Sequence, residues 1–561
     1  MISEKQPLSP SREYTTRWFR YEADQTGLPM IFLEDQYTGV IVGSAFADPE
    51  KRIAATKAWG GARQSRAPGT PWEIYHEMGE RGIDPDVKLE DTFENYGHKS
   101  VGDMARIQIE HQGMPMHLAF TMFHEGYTVS GQEKSTRYQS SFKSAVLHPL
   151  QNYVKGRVPP PVEEFYQGLG RLALDLFAKQ RELLTPAFEE YYQPPASKKG
   201  SLNSRVLDCA RYFLLFGQST GCSYETSARD WSRLISGLRA SHIPFYRTYG
   251  SQLEEFLAPP KHIEEALGFK AEAPSLVRHS EADQTVNKNL AELKQFLVSE
   301  TDLLDKVPIK SGFPEISEQR VDLVPRSVTS GQKVVMQYLM TLWPGLDRNK
   351  MTGWVAKQPQ EVADKFSSII FNGHNKFKEP PSIMAVNDMT LAVHSDLGLQ
   401  RDFNRQRAWG RFMPLPLLYG EPWDKAKAEQ VLGQGFGMPL YLSEVDKFKD
   451  QADNFAGDLK RYYEKLFEFL WVAGSLGTEV DYSFMVNVLP LAHTVDLYMH
   501  GNPKQALYFT DLRYRPGGHI NYRVLAFDAN QQIADSDPYL SGMRLDGKPD
   551  PASKAEFADR S

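Results

Sequence analysis

Cysteine is nearly absent from this chain: Cys209 and Cys222 are the only two in 561 residues. They offer no CxxC pair and no disulfide framework, which fits a reducing compartment. Cys222, after Gly221 in a polar stretch, has no base nearby in sequence that would activate a thiol and reads as structural. Long apolar runs are lacking too. Tyr212–Phe216 and Phe467–Ala473 fall far short of the ~20 residues that a membrane helix requires. Met1-Ile2-Ser3-Glu4-Lys5 leads into polar sequence and not into an apolar signal core, so the expected location is the cytoplasm, away from any membrane. There is no excess of positive charge. The formal net charge of −7 gives no overall basic field for a nucleic acid, though it leaves a local anion site open. His111, His117 and His124 are not at liganding intervals with a carboxylate, so no metal is expected. No Ser–His–Asp order can be defended from the sequence.

What is present is an ordinary globular composition, 41% hydrophobic and 24% charged, in a chain long enough for two to four domains. Residues 1–43 form an N-terminal extension with strand-like alternation near Pro29–Val42. Pro-rich stretches at 149–161 and 193–201 punctuate the sequence. Residues 258–330 mix Pro, Lys and Glu with short helical patterns such as Val286–Glu300, and read as a partly helical connector. The tail, 536–561, is polar. Between these segments lie two blocks of similar plan, 44–257 and 331–535. Each has apolar residues at helical spacing: Phe165, Leu169, Leu172 and Leu176 in one, and Phe455, Leu459, Tyr462, Leu466 and Phe469 in the other. Each continues with an apolar segment, Ala210-Arg211-Tyr212-Phe213-Leu214 or Val486-Asn487-Val488-Leu489-Pro490-Leu491. Each ends on a short helix closing in Leu-Arg, Leu238-Arg239 or Leu512-Arg513. The economical reading is an α+β fold made of two tandem copies of one module. Chance likeness of two α/β segments is the alternative.

Three runs carry chemistry. In Glu133-Lys134-Ser135-Thr136-Arg137-Tyr138, a hydroxyl two residues before an arginine suits an oxyanion: the serine donates one hydrogen bond and the guanidinium a planar fork. Arg405-Gln406-Arg407, with Arg401 and Arg411 nearby, is a basic cluster. On a strand its two outer guanidinium groups would share a face and could meet one pyrophosphate. A solvated loop and a charged solvent face are the plain alternatives for these two runs. Gly501-Asn502-Pro503 reads as a helix start, with Lys504 adding charge where a helix favours an anion. Arg513 follows about three turns later, near the same face as Asn502. Gly433-Gln434-Gly435-Phe436-Gly437 is only loosely like a phosphate loop and reads as a turn.

Together these runs resemble flavin-dependent thymidylate synthase, whose members are roughly half this length. That family carries Arg-His-Arg, seven residues, then Ser-x-Arg-Tyr with Glu two before the Ser. Further on come Ala-Arg-x-x-Leu-Pro, Asn-x-Arg, and a Leu-Arg whose Arg stands eleven after the Asn. The first copy is similar at His98-Lys99-Ser100, at Glu133-x-Ser135-x-Arg137-Tyr138, at Ala210-Arg211-x-x-Leu214 and, with one residue of slippage, at Arg239. It has Glu125-Gly126-Tyr127 where Arg-His-Arg belongs. The second copy is similar at Arg405-Gln406-Arg407, at Asn502-x-Lys504 and at Arg513. It has Met413, Leu415, Leu417 and Leu418 at the Glu, Ser, Arg and Tyr positions, and Val486 at the Arg of Ala-Arg. The resemblance covers about three quarters of the chain.

The resemblance implies reductive methylation of dUMP to dTMP with FAD as cofactor and NADPH and methylenetetrahydrofolate as co-substrates, without an enzymic nucleophile. Arg513 would stabilise the uracil N3 anion. Glu133, Ser135, Arg137, Tyr138 and Arg211 would order and bind the nucleotide. Arg405, Gln406, Arg407, Asn502, Lys504, His98 and Ser100 would serve the flavin. Family members are homotetramers with sites shared between subunits, so a two-copy chain is expected as a homodimer. Its composite site would lie where Ser135 and Arg137 meet Arg405 and Arg513. Gln406 and Lys504 depart from the family pattern, and lysine lacks the arginine fork. The alternatives are a flavin enzyme acting on another pyrimidine nucleotide or a nucleic-acid base, and a non-catalytic protein that keeps the fold.

Overall fold

The computed structural model describes the chain outside residues 1–5, 8–16, 24–28, 45–47, 49, 65–66, 97–98, 137–146, 278–279, 301–312, 325–329, 344, 360, 363–364, 367–368, 370–388, 414, 416–419, 478, 502, 537–543 and 555–561. The fold is mixed α+β and divides into two compact units, each discontinuous in sequence. One is Met1–Lys134 with Ser219–Gln284; the other is Ser135–Gln218 with Thr285–Ser561.

The first unit is built on a seven-stranded antiparallel sheet of β1 (Gln6–Pro7), β2 (Arg17–Ala23), β3 (Pro29–Asp35), β4 (Ile41–Ser44), β5 (Arg106–Pro115), β6 (Ser130–Glu133) and β7 (Ser219–Ser227). Their order is β1-β2-β3-β4-β5-β7-β6. The alternation expected near Pro29–Val42 becomes β3 and β4. In β5, Ile107, Ile109 and His111 face inward while Gln108 and Glu110 are half-buried, the period-two signature of a sheet with one covered face. The register slips between Gln112 and Met114. Gly113 makes that bulge possible, with φ +78° and a site where a Cβ would stand 2.7 Å from the Gly39 carbonyl oxygen. Helices Met116–Glu125, Ala228–Ala240 and Pro244–Leu257 supply the core, which includes buried Trp231, Tyr246 and Tyr249.

The second unit holds a four-stranded antiparallel sheet of β8 (Arg320–Leu323), β9 (Met389–Asp396), β10 (Gly410–Phe412) and β11 (Thr494–Gly501), ordered β10-β11-β9-β8. Read from β8, the order β8-β9-β11-β10 repeats β4-β5-β7-β6 of the other sheet. Both predicted amphipathic helices form, as Pro160–Tyr192 and Lys449–Ala473. They pack antiparallel: Phe165 and Tyr166 meet Phe469 at 5.7 and 5.9 Å between ring centres, and Lys179 Nζ and Gln180 Nε2 reach Asp458 at 2.8 and 2.7 Å. The two apolar segments beside them form helical turns, Arg211–Phe213 and Tyr482–Val488, and then pair with each other. Phe216 N–H donates to Leu489 O at 2.9 Å and Leu491 N–H to Leu214 O at 2.7 Å; Gly217 N–H donates to Asn487 O at 2.9 Å and Ala492 N–H to Tyr212 O at 3.0 Å. Each bond has a reciprocal partner, as in a two-fold self-complementary contact. Among the described residues, no helix is long and apolar enough to cross a membrane.

Candidate functional site

The site in the second unit starts from the end of β9. Asp396 Oδ1 accepts the Leu399 N–H at 2.8 Å and caps the helix Leu397–Phe403. Its other oxygen, Oδ2, accepts the Tyr212 hydroxyl at 2.7 Å and Gln319 Nε2 at 2.8 Å. Gln319 Oε1 in turn accepts Asn521 Nδ2 at 3.1 Å. Burial pushes the Asp396 carboxyl up to about 6, against the opposing charge of Arg211 and the hydrogen bonds from Tyr212, Leu399 and Gln319. Burial, and then the Asp396 charge, pushes the Tyr212 hydroxyl up as well.

Arg211, one residue before Tyr212, is itself buried and loosely held. Its Nη1 lies 3.4 Å from Thr136 Oγ1 and its Nη2 3.4 Å from Asp402 Oδ2, while Nε is buried without a hydrogen-bond partner. A buried guanidinium with unfilled donor capacity is what an oxyanion would satisfy. Gly398 keeps space beside it: a Cβ there would stand 3.7 Å from Arg211 Nε and 3.0 Å from Asp396 Oδ1. The other oxygen of Asp402, Oδ1, lies 3.9 Å from Arg405 Nε. Asp402 therefore stands between an arginine of the first sequence block and one of the second.

Arg405, Gln406 and Arg407 lie in a turn after the capped helix, not on a strand. Gln406 N–H donates to Phe403 O at 2.9 Å and Arg407 N–H to Arg405 O at 3.0 Å. The side chains diverge accordingly, with Arg405 exposed, Gln406 buried and Arg407 half-buried. Arg411 closes this turn by donating to the Asn404 carbonyl and, at 2.7 Å, to its side-chain oxygen. Arg513 arrives near the end of the helix Pro503–Tyr514. Its guanidinium lies over the Tyr522 ring at 5.3 Å. With the Gln406 amide oxygen facing it, Gln406 accepts Arg513 Nε at 3.0 Å and Nη2 at 3.2 Å. Tyr522 donates its hydroxyl to the Asp402 carbonyl at 3.1 Å, which ties this arginine's support to the same helix end.

No protein-family profile matches the chain. Three curated proteins are similar to it at low identity. A UPF0159 protein of Chlamydia pneumoniae is 21% identical over 462 residues, spanning 80% of this chain and 78% of its own length. A UPF0159 protein of Chlamydia muridarum is 21% identical over 477 residues, with the same coverage of 80% and 78%. A UPF0159 protein of Thermoplasma acidophilum is 20% identical over 354 residues, spanning 62% of this chain and 60% of its own.

The remaining sequence-derived residues are distributed unevenly. Glu133 ends β6 in the first unit, opposite Cys222 on β7. Burial raises the Cys222 thiol, and the charges of Glu133 and Glu110 raise it further. Ser135 begins the second unit half-buried, and it is the next residue, Thr136, whose hydroxyl meets Arg211. Ser100 is in the short helical turn Lys99–Asp103 and Lys504 in the first turn of the Pro503–Tyr514 helix; their side chains lie outside the described residues, as do His98, Arg137, Tyr138 and Asn502 altogether. Of the second-copy positions, Met413 and Leu415 are buried apolar residues, while Leu417 and Leu418 are outside the described residues. The sequence reading missed Asp396, Asp402, Gln319, Asn521 and Tyr522. Two of these carried a signal: Asp396 precedes an apolar run as a helix cap does, and Asp402 stands three residues before Arg405. Gln319, Asn521 and Tyr522 carried none.

Proposed function

We propose that the chain is a flavin-dependent thymidylate synthase-like enzyme, a tandem duplication of the module that keeps one composite site. The observation that carries this reading is the convergence around Asp402. Arg211 comes from the block that resembles the nucleotide half, and Arg405, Gln406 and Arg513 come from the block that resembles the flavin half. The shared strand order of the two sheets and the reciprocal pairing of the segments around Leu215 and Pro490 support the duplication. Arg239, the first block's counterpart of Arg513, is engaged by Glu254 at 2.6 Å and by the Ser280 carbonyl at 3.1 Å, in keeping with a half-site given over to structure.

The donor set fits the ligands. Arg211 has an unfilled buried N–H for the dUMP phosphate, and Arg405, with its side chain 47% exposed, can turn its fork to a flavin pyrophosphate together with Arg407. FAD held there would supply the hydride, with NADPH as its reductant and methylenetetrahydrofolate as the one-carbon donor. The residues of the chain bind and orient. Arg211 holds the nucleotide phosphate while Asp402 balances its charge. Arg513, fixed by Gln406 and Tyr522, stabilises negative charge at uracil N3. No thiol nucleophile enters, in keeping with two buried free cysteines whose thiols burial pushes up. The working form is a cytosolic homodimer. The deciding experiment is tritium release from 5-labelled dUMP with FAD, NADPH and methylenetetrahydrofolate, alongside the visible spectrum of the purified protein. Release with a flavin spectrum is expected; a colourless protein that takes up no added FAD would defeat the reading.

A further inference from the structure

A second polar cluster lies on the four-stranded sheet of the same unit. Ser317, three residues before β8, is anchored by its N–H, which donates to the Phe436 carbonyl at 2.8 Å. Its Oγ is 2.8 Å from His394 Nε2. His394 sits on β9 directly opposite Asp496 on β11, and its Nδ1 is 3.0 Å from Asp496 Oδ1. Directly opposed residues of antiparallel strands have side chains within reach of each other, so the register itself makes the imidazole–carboxylate contact. The atoms are in the order that nucleophile activation needs: the carboxylate takes Nδ1–H, which leaves Nε2 as the acceptor for a hydroxyl proton.

The carboxylate end is kept ionised. Burial acts to push the Asp496 carboxyl up, but the hydrogen bond from His394, the charge His394 carries once it holds the serine proton, and the charges of Arg348 and Arg320 outweigh it and hold the group below the ordinary carboxylate range. Arg348 approaches Asp496 at 3.7 Å while its other arm donates to Asp322 at 2.8 Å. Along the relay, His394 is 9% exposed and Ser317 is half-buried, so the row opens to solvent at the hydroxyl. The segment that carries the serine also exposes apolar surface. Phe313 is 43% and Ile316 55% exposed, and Phe313 stacks on Phe467 at 6.0 Å.

We propose that Ser317, His394 and Asp496 form a nucleophilic centre, separate from the arginine site, that cleaves carboxylic esters with an apolar acyl group. Ser317 Oγ attacks the carbonyl carbon as its proton passes to His394 Nε2. The carbonyl carbon–oxygen bond to the leaving group breaks, and the leaving alkoxide takes that proton away as the alcohol. Water then attacks the acyl-serine, giving its proton to Nε2, and the released serine oxygen recovers it as the carboxylic acid departs. No electrons are gained or lost overall.

A fluorophosphonate tests the serine directly: the Oγ–phosphorus bond forms, the phosphorus–fluorine bond breaks, and the proton goes through His394 to solvent with fluoride. Native full-length protein is expected to gain one adduct per chain, mapped to Ser317 by peptide mass spectrometry, with none on denatured protein. Ser317→Ala, a change at a half-buried hydroxyl, should remove both the adduct and any hydrolysis of p-nitrophenyl butyrate. His394→Gln should slow labelling by about 100-fold or more, the lower end of what a general base supplies. The proposal is overturned when native Ser317 labels no faster than the denatured chain, or when His394→Gln melts like the parent and labels at the parent rate. Neither readout involves flavin or dUMP, so the result is independent of the arginine site.

Discussion

Arg513 and Asp396 hold the proposed arginine site at the scale of single residues, in different ways. Arg513 is positioned by two neutral partners, the Gln406 amide and the Tyr522 ring, so its charge is left for a ligand. Arg513→Ala is expected to abolish tritium release from dUMP while the melting temperature stays within a few degrees; undiminished release would remove Arg513 from this role. Asp396 acts through the fold. Its folded-state value of about 6 lies above the ~3.9 of an unfolded aspartate, so the folded chain holds this proton more tightly. The stability it contributes is complete below about pH 4 and is lost as pH rises through about 6, on the order of 2–3 kcal/mol. Glu255 in the other unit is raised to about 7, so it titrates nearby, and the informative quantity is the difference from Asp396→Asn. Urea midpoints at pH 4.5 and 7.5 should fall more in the parent than in the variant, and equal falls would contradict the assignment.

At the scale of elements, the reciprocal pairing of Tyr212–Gly217 with Asn487–Ala492 joins the two sequence blocks within the second unit. Gly217 is the tightest point. A Cβ there would stand 2.5 Å from the Asn487 carbonyl oxygen and 2.6 Å from its Cα, neither of which can rotate away. Gly217→Ala is therefore expected to lower stability by about 1–3 kcal/mol, the usual effect of overpacking, read as a lower urea midpoint with an unchanged slope. The helices beside this pairing were legible because apolar residues recur at helical spacing, and Phe455, Leu459, Tyr462, Leu466 and Phe469 are all buried. The turn at Arg405–Arg407 was not. Charged residues at alternating positions are compatible with a strand, and what bends the chain here is the Asp396-capped helix before it and the Arg411 bonds to Asn404.

For the whole molecule, the proposed flavin site draws on both sequence blocks yet belongs to one compact unit of one chain. One FAD per chain is therefore expected by absorbance after saturation. Light scattering should give twice the 63.7 kDa of the chain if the protein works as the proposed homodimer. One FAD per two chains would instead mean that a site is shared between subunits. The grouping of 135–218 with the second half was not readable from the sequence. It depends on the Pro160–Tyr192 helix finding its apolar partner hundreds of residues away, and nothing local specifies that choice.

The sequence by itself determined the amphipathic helices and the α+β class, because periodicity is a local property of a chain. It also supplied Arg405 and Arg513 as candidates by residue type and interval, and Arg211 through the family resemblance. Only the tertiary structure decided that Asp402 lies between Arg211 and Arg405, and that Thr136 rather than Ser135 meets Arg211. It likewise aligned Ser317, His394 and Asp496, residues far apart in the chain. These contacts arise from strand register and helix packing, which bring distant residues within a few ångströms by burying apolar surface, and no short stretch of sequence encodes them.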